Sequence, residues 1–155
     1  MTAAEIITAY KKAGMMLATA ESCTGGLIAG ALTDVPGSSA VVERGFVTYT
    51  NQAKMDLLGV PSELFETVGA VSIKVAKAMA EGALVRSPVD VAVSVTGIAG
   101  PGGSEFKPEG RVCFGLAAKE QETFVEQIDF GALGRAEVRR VSVDHALTLL
   151  GQALP

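Results

Sequence analysis

The chain has 155 residues, of which 48% are hydrophobic and 19% charged, enough for one globular domain with a buried core. The formal net charge of −4 provides no overall basic field that would attract nucleic acid. No apolar run reaches the length of a membrane span, and the first residues lack the basic and apolar regions of a signal peptide.

Hydrophobic periodicity and turn residues divide the chain into alternating helices and strands. In chain order, the predicted elements are a helix at 3–12, a strand at 15–19, a helix at 24–33, a strand at 45–49, a helix at 51–58 with Asn51 as its cap, a helix at 72–86, a strand at 89–95, a strand pair at 111–118 and 123–130, and a helix at 135–150. This order predicts one three-layer α/β/α domain over residues 1–155, with a mixed, mostly parallel sheet.

The stretch AESCTGG at residues 20–26 lies where a predicted strand gives way to a predicted helix. A helix start offers unpaired N–H groups and positive partial charge, which would suit an anion or a developing oxyanion. Glycines allow a ligand to approach the backbone closely. The residues alone therefore leave four functions open: phosphate binding, acyl-group chemistry, a reactive thiolate at Cys23, and simple helix capping by the serine or threonine of the stretch.

A loop rich in glycine and proline follows the buried strand at 89–95 and extends over residues 97–110. In open α/β sheets, ligands bind beyond the carboxyl ends of the strands, so this loop is in a suitable position for a binding site. Its sequence matches neither a phosphate-binding P-loop nor a dinucleotide-binding fingerprint. A plain surface loop is the alternative interpretation.

Lys54 is placed in the first turn of the helix predicted at 51–58, where the helix dipole disfavours a positive charge. Partial burial there would also lower the pKa of the amine, as a lysine general base requires. The alternative is an ordinary solvated lysine. Arg139 and Arg140, near the start of the last helix, follow a glycine-rich turn and could hold a phosphate, although such charges are usually solvated.

Four motifs, at residues 20–26, 44–49, 69–72 and 97–101, occur in an order that resembles the CinA C-terminal domain family, and the similarity covers nearly the whole chain. The family includes stand-alone proteins of this size that are described as nicotinamide mononucleotide deamidases. The resemblance therefore implies hydrolysis of the carboxamide of nicotinamide mononucleotide to nicotinate mononucleotide and ammonia.

The resemblance also implies roles for individual residues. Ser22 corresponds to the nucleophile, Lys54 to the lysine that activates it, and Tyr49 to a residue that shapes the pocket or orients the lysine. The residues implied in substrate binding are Thr24, Gly25, Gly26, Thr96, Gly97, Gly100 and Arg135, to which we add Arg139 from its position after the glycine-rich turn.

Two alternatives compete with a serine amidase. One is a catalytically silent nucleotide-binding or regulatory module, and the other is a cysteine amidase with Cys23 as the nucleophile. The single histidine and the two cysteines form no metal-ligand spacing, so we expect a hydrolase without metal or cofactor. We further expect a cytoplasmic homo-oligomer, with a dimer as the simplest form, acting on a small molecule and binding neither nucleic acid nor membrane.

Overall fold

A five-stranded mixed sheet forms the middle layer of the protein, for which the computed structural model describes all 155 residues. Its strands are β1 (Leu17–Glu21), β2 (Val42–Val47), β3 (Val91–Gly97), β4 (Arg111–Ala118) and β5 (Phe124–Asp129). The spatial order is β2-β1-β3-β4-β5. Strand β1 pairs in parallel with β2 and β3, whereas β4 is antiparallel to both of its neighbours. Four strands therefore run in one direction, as a mixed, mostly parallel sheet requires.

Helices cover both faces of this sheet, which confirms the predicted three-layer arrangement. They are α1 (Ala3–Ala13), α2 (Leu27–Thr33), α3 (Asn51–Leu58), α4 (Ser62–Thr67), α5 (Ile73–Val85) and α6 (Arg135–Gln152). Helices α1, α2 and α6 pack together on one face, and α5 packs on the other face with α3 and α4 against it. None of the helices has the length and apolar composition needed to cross a membrane.

The two faces of β3 show how the sequence builds these layers. Val91, Val93 and Val95 belong to the apolar cluster under α1, α2 and α6, and Ala92 belongs to the cluster under α5. Successive side chains of a strand point to opposite faces, so a run of apolar residues supplies both cores. The buried strand expected from this run is confirmed, although it begins and ends two residues later than predicted.

Element boundaries were predicted best where the signals are local. Helix α3 spans the predicted residues 51–58 and ends at Gly59, whose φ of 68° is left-handed, but its cap is Thr50 and not Asn51. Strand β1 is shifted two residues from the predicted 15–19, and α2 begins at Leu27 because Gly26, at φ 102°, precedes it. Helix α4 and a 3₁₀ turn at Ser38–Ala40 were missed.

Close packing of α3 on α5 depends on Gly82, because a methyl group there would overlap the Leu58 carbonyl oxygen. We expect Gly82→Ala to lower the free energy of unfolding by about 1–3 kcal/mol, as overpacking of a core usually does. Gly30→Ala is the matched control, since the space beside this helical glycine is open. It should raise stability by roughly 0.5–1 kcal/mol. Urea unfolding of both variants measures the difference, and equal effects would contradict the packing argument.

Candidate active site

A cavity of about 290 Å³ lies beyond the carboxyl ends of β1, β2 and β3. This is the switch point of the sheet, because the chain leaves β1 toward α2 on one face and leaves β2 toward α3 and α5 on the other. The cavity is lined by backbone and side chains from the ends of these strands, the start of α3, the glycine loop and the start of α6. Among its lining residues are Ser22, Tyr49, Lys54, Thr96, Gly97, Gly100 and Arg135.

Ser22 follows β1 directly and begins the turn that leads to α2. Its backbone N–H donates to the Val95 carbonyl at 3.0 Å, which extends the β1–β3 pairing by one residue, and its own carbonyl accepts from Gly25 N at 3.0 Å. The residue is 8% exposed, and it lines the cavity. The end of a strand thus presents a hydroxyl to the cavity from a backbone that is hydrogen-bonded on both sides.

Lys54 lies in α3 and is only 1% exposed. Its ammonium donates one hydrogen bond, to the Tyr49 carbonyl at 3.2 Å, and it has no carboxylate partner within ion-pair distance. Burial lowers the pKa of Lys54 to about 8, against the smaller opposing effects of Cys23 and Glu105. Burial therefore increases the neutral fraction of this amine near neutral pH.

Tyr49 and Arg135 meet at the rim of the cavity. The Tyr49 hydroxyl accepts from Arg135 Nη2 at 2.7 Å, and Arg135 Nη1 donates to the Gly100 carbonyl at 2.7 Å. Both partners of the guanidinium are neutral, and no carboxylate forms an ion pair with it. Arg135 thus contributes a positive charge, without a direct ion pair, to a cavity whose wall also includes Glu105.

The glycine loop is held by side chains at both ends. The Glu109 carboxylate accepts from Gly102 N at 2.7 Å and from Gly134 N at 3.0 Å, which ties the loop to the start of α6. The Lys107 ammonium donates to two carbonyl oxygens of the segment before α5, each at 2.6 Å. Thr96 lines the cavity with its hydroxyl donated to the Ala70 carbonyl at 2.9 Å.

Four of the predicted substrate-binding residues lie outside the lining of the cavity: Thr24, Gly25, Gly26 and Arg139. Thr24 is fully buried and donates its hydroxyl to Glu21 at 2.6 Å. Arg139 donates to the Cys23 and Thr24 carbonyls at 3.1 and 3.4 Å, so it stabilises the turn without lining the cavity.

The expectation that the start of α2 would offer free N–H groups to an anion is wrong. The Glu21 carboxylate already accepts from Ile28 N at 2.9 Å and from Ala29 N at 3.0 Å. The partial positive charge of this helix start is therefore satisfied by the protein itself.

Cys23 lines the cavity beside Ser22, but its surroundings disfavour a reactive thiolate. The side chain is 6% exposed and packs in the apolar cluster of α1, α2 and α6. Burial raises the pKa of the Cys23 thiol to about 12, so the nucleophilic thiolate form is suppressed near neutral pH.

Five further residues of the cavity wall were assigned no role from the sequence: Asn51, Ala70, Val71, Ser104 and Glu105. Four of them lie in stretches already singled out, Ala70 and Val71 in the motif at 69–72 and Ser104 and Glu105 in the glycine loop. Ala70 and Val71 carry no chemical signal of their own, because they contribute shape and backbone.

Comparison with protein families places the whole site within a known group. Residues 1–154 match the family model of the CinA C-terminal domain. The chain is 60% identical over 127 residues to a CinA-like protein of Chlorobium phaeobacteroides, covering 76% of this chain and 30% of that protein. It is 53% identical over 146 residues to a CinA-like protein of Geotalea daltonii, covering 94% of this chain and 35% of that protein. The chain thus spans about a third of the length of these relatives.

Solved structures agree with this assignment over the full length of the fold. The crystal structure of the competence/damage inducible protein CihA from Agrobacterium tumefaciens superposes with a TM-score of 0.94 at 53% identity, covering 97% of this chain and 92% of that one. A competence-damaged protein (CinA) superfamily protein of Escherichia coli superposes with a TM-score of 0.93 at 38% identity, covering 98% of this chain and 88% of that one.

Proposed function

Because the chain belongs to the CinA C-terminal domain family, we propose that it is a nicotinamide-nucleotide amidase, which deamidates nicotinamide mononucleotide to nicotinate mononucleotide and ammonia. The observation that carries this proposal is that a strand-end serine, Ser22, and an almost fully buried lysine, Lys54, both line the wall of one cavity. The volume of this cavity, about 290 Å³, is near the lower end of the range for small-molecule sites, which is about 300 to 1,000 Å³.

In the proposed reaction, Ser22 Oγ attacks the carboxamide carbon while its proton passes to the neutral amine of Lys54. The C–N bond then breaks, and the nitrogen takes that proton from Lys54 as ammonia leaves. Water attacks the resulting ester carbonyl and gives one proton to Lys54, which passes it to Ser22 Oγ as the ester C–O bond breaks. The released carboxylic acid then loses its remaining proton to solvent and leaves as nicotinate. The lysine ends each cycle neutral, so a pKa near 8 suits both halves of the reaction.

Backbone groups of the turn are suited to stabilise the negative charge on the carbonyl oxygen. The N–H groups of Cys23 and Thr24 have no backbone acceptor. Cys23 lines the cavity beside Ser22, whereas Thr24 lies outside its lining, so the Cys23 N–H is the donor in reach. Preorganised donors of this kind, beside the attacking atom, lower the barrier of acyl transfer more than any single other feature. We therefore assign the oxyanion to this turn.

Arg135 is the best-placed group for the phosphate of the nucleotide, because its guanidinium lines the cavity and has no carboxylate partner. We expect Arg135→Ala to raise KM for nicotinamide mononucleotide by roughly 10- to 100-fold, the range for losing a charged hydrogen-bond donor of about 1.5–3 kcal/mol. Arg140→Ala is the matched control, since Arg140 pairs with Glu137 and Asp144 outside the cavity. Steady-state kinetics of both variants test the assignment, and an unchanged KM in Arg135→Ala would contradict it.

Ammonia release from nicotinamide mononucleotide by the chelator-treated protein tests the proposed function. Turnover supports a hydrolase that works without metal. Calorimetric binding of the nucleotide without ammonia release would instead favour the silent nucleotide-binding module.

A further inference from the structure

Glu21 is a fully buried acid whose carboxylate has three donors and no basic partner. Its Oε1 accepts from the Thr24 hydroxyl at 2.6 Å and from Ile28 N at 2.9 Å, and its Oε2 accepts from Ala29 N at 3.0 Å. No lysine or arginine forms an ion pair with it. Glu21 precedes Ser22 in the chain, and all three donors to its carboxylate follow Ser22. The carboxylate therefore bridges the two ends of the turn that contains Ser22.

Ordinary helix capping does not account for a buried acid at this place. Helices α1, α3 and α5 are capped by the hydroxyls of Thr2, Thr50 and Ser72. Burying a charge is costly unless hydrogen bonds satisfy it, so a surface hydroxyl would cap α2 at a lower cost. The buried carboxylate does what a hydroxyl cannot, because its two oxygens reach a side chain and two consecutive helix amides at once.

The backbone of the same residue faces the lysine side of the cavity. The Glu21 carbonyl accepts from Thr48 N at 2.8 Å and from the Thr48 hydroxyl at 3.5 Å. Thr48 precedes Tyr49, whose carbonyl accepts the hydrogen bond of the Lys54 ammonium. One residue thus anchors the turn of the serine through its side chain and the segment that holds the lysine through its carbonyl.

We propose that Glu21 is a positioning residue for Ser22: its carboxylate holds the turn at residues 22–24 against α2, so that the Ser22 hydroxyl and the Cys23 N–H keep their alignment in the cavity. This inference rests on the proposed function, and it gives the acidic residue of the motif at 20–26 a role beside that of Ser22. Glu21 does not touch the substrate in this scheme, and its influence passes through the turn.

Glu21→Gln is the sharpest test, because the amide NH2 would face a helix N–H in place of one carboxylate oxygen and loosen the turn. We expect kcat for nicotinamide mononucleotide to fall about 100-fold, as misplacement of a reacting group by about 1 Å does. KM should change less than about threefold, because the phosphate contact is untouched. The acidic limb of kcat/KM should keep its midpoint near pH 8, since the carbonyl that anchors the lysine segment is retained. An unchanged kcat, a rise in KM alone or a shifted limb would each overturn the proposal.

Thr2→Ala serves as the matched control, since it removes the cap of α1 far from the cavity. It should lower Tm and leave kcat unchanged, whereas a fall in kcat would show that lost stability alone explains the Gln variant. If Glu21→Gln does not fold, Thr24→Val removes one donor of the same carboxylate and should lower kcat with KM retained. An unchanged kcat in folded Thr24→Val would then count against the proposal.

Labelling of Ser22 by a fluorophosphonate separates this inference from the proposed function. The serine oxygen forms a bond to phosphorus, fluoride leaves, and the proton passes to Lys54, so no nucleotide is needed. Labelled wild type without ammonia release would refute the amidase while leaving Glu21 testable by the labelling rate, which should fall about 100-fold in the Gln variant. Absence of both labelling and ammonia release in the wild type would overturn both, because there would be no activated serine to position.

Discussion

Ser22→Ala should abolish ammonia release from nicotinamide mononucleotide while the protein stays folded and still binds the nucleotide. Removing the attacking oxygen prevents formation of the acyl-enzyme, and loss of the serine in a serine hydrolase costs on the order of 10⁶ in kcat. The residue is small and lies at a cavity wall, so the substitution leaves no large void in the core. An ammonia assay measures the loss of turnover, and calorimetry measures the retained binding of the nucleotide.

Cys23→Ala is the matched control, because it alters the neighbouring residue of the same turn. Its thiol is buried, with a pKa raised by burial to about 12, so we expect catalysis to survive its removal. Full activity in Ser22→Ala together with inactivity in Cys23→Ala would instead assign the chemistry to the cysteine. Activity in both variants would require direct attack by water.

Lys54→Met should remove catalysis and yet leave the protein as stable as the wild type, or more stable, at pH 7. Loss of a general base costs about 10²–10⁴ in rate. The same substitution replaces a buried ammonium without an ionic partner by an apolar side chain of similar length, which removes a desolvation penalty. Rate and Tm measured on one preparation would show these opposite signs, whereas a large fall in Tm would mean that the amine is mainly structural.

The pH dependence of the wild type follows from the same residue. The reaction needs the neutral amine, so kcat/KM should rise with pH and level off above a pKa of about 8. The free energy of unfolding also depends on pH through Lys54. The pKa of this amine is lower in the folded state than its ordinary value of 10.5, so the unfolded chain binds more protons between about pH 8 and 10.5. The free energy of unfolding of the wild type should therefore rise through that interval relative to Lys54→Met. A rate profile that is flat from pH 6 to 9 would contradict the role of the lysine.

Local signals in the sequence were enough for much of the fold. The limits of α3 followed from polar residues at its start and a left-handed Gly59 at its end, and the β4–β5 hairpin followed from two strand-forming runs around a polar turn. Helix α4 was missed because none of its residues is buried, which leaves no apolar periodicity to detect. The start of α2 was misplaced because the decisive contacts come from the Glu21 side chain and from the φ of Gly26.

The sequence by itself determined the layered α/β architecture, the family and the motifs that contain Ser22 and Lys54, because periodicity, turn residues and motif order are properties of neighbouring positions. Only the tertiary structure decided that these two residues line one cavity, that Glu21 occupies the helix start, and that Thr24 and Arg139 support the turn from outside the cavity. The physical reason is that burial and hydrogen-bond partners come from segments distant in the chain. Such burial lowers the pKa of Lys54 and raises that of the Cys23 thiol, so it favours the neutral amine and disfavours the thiolate.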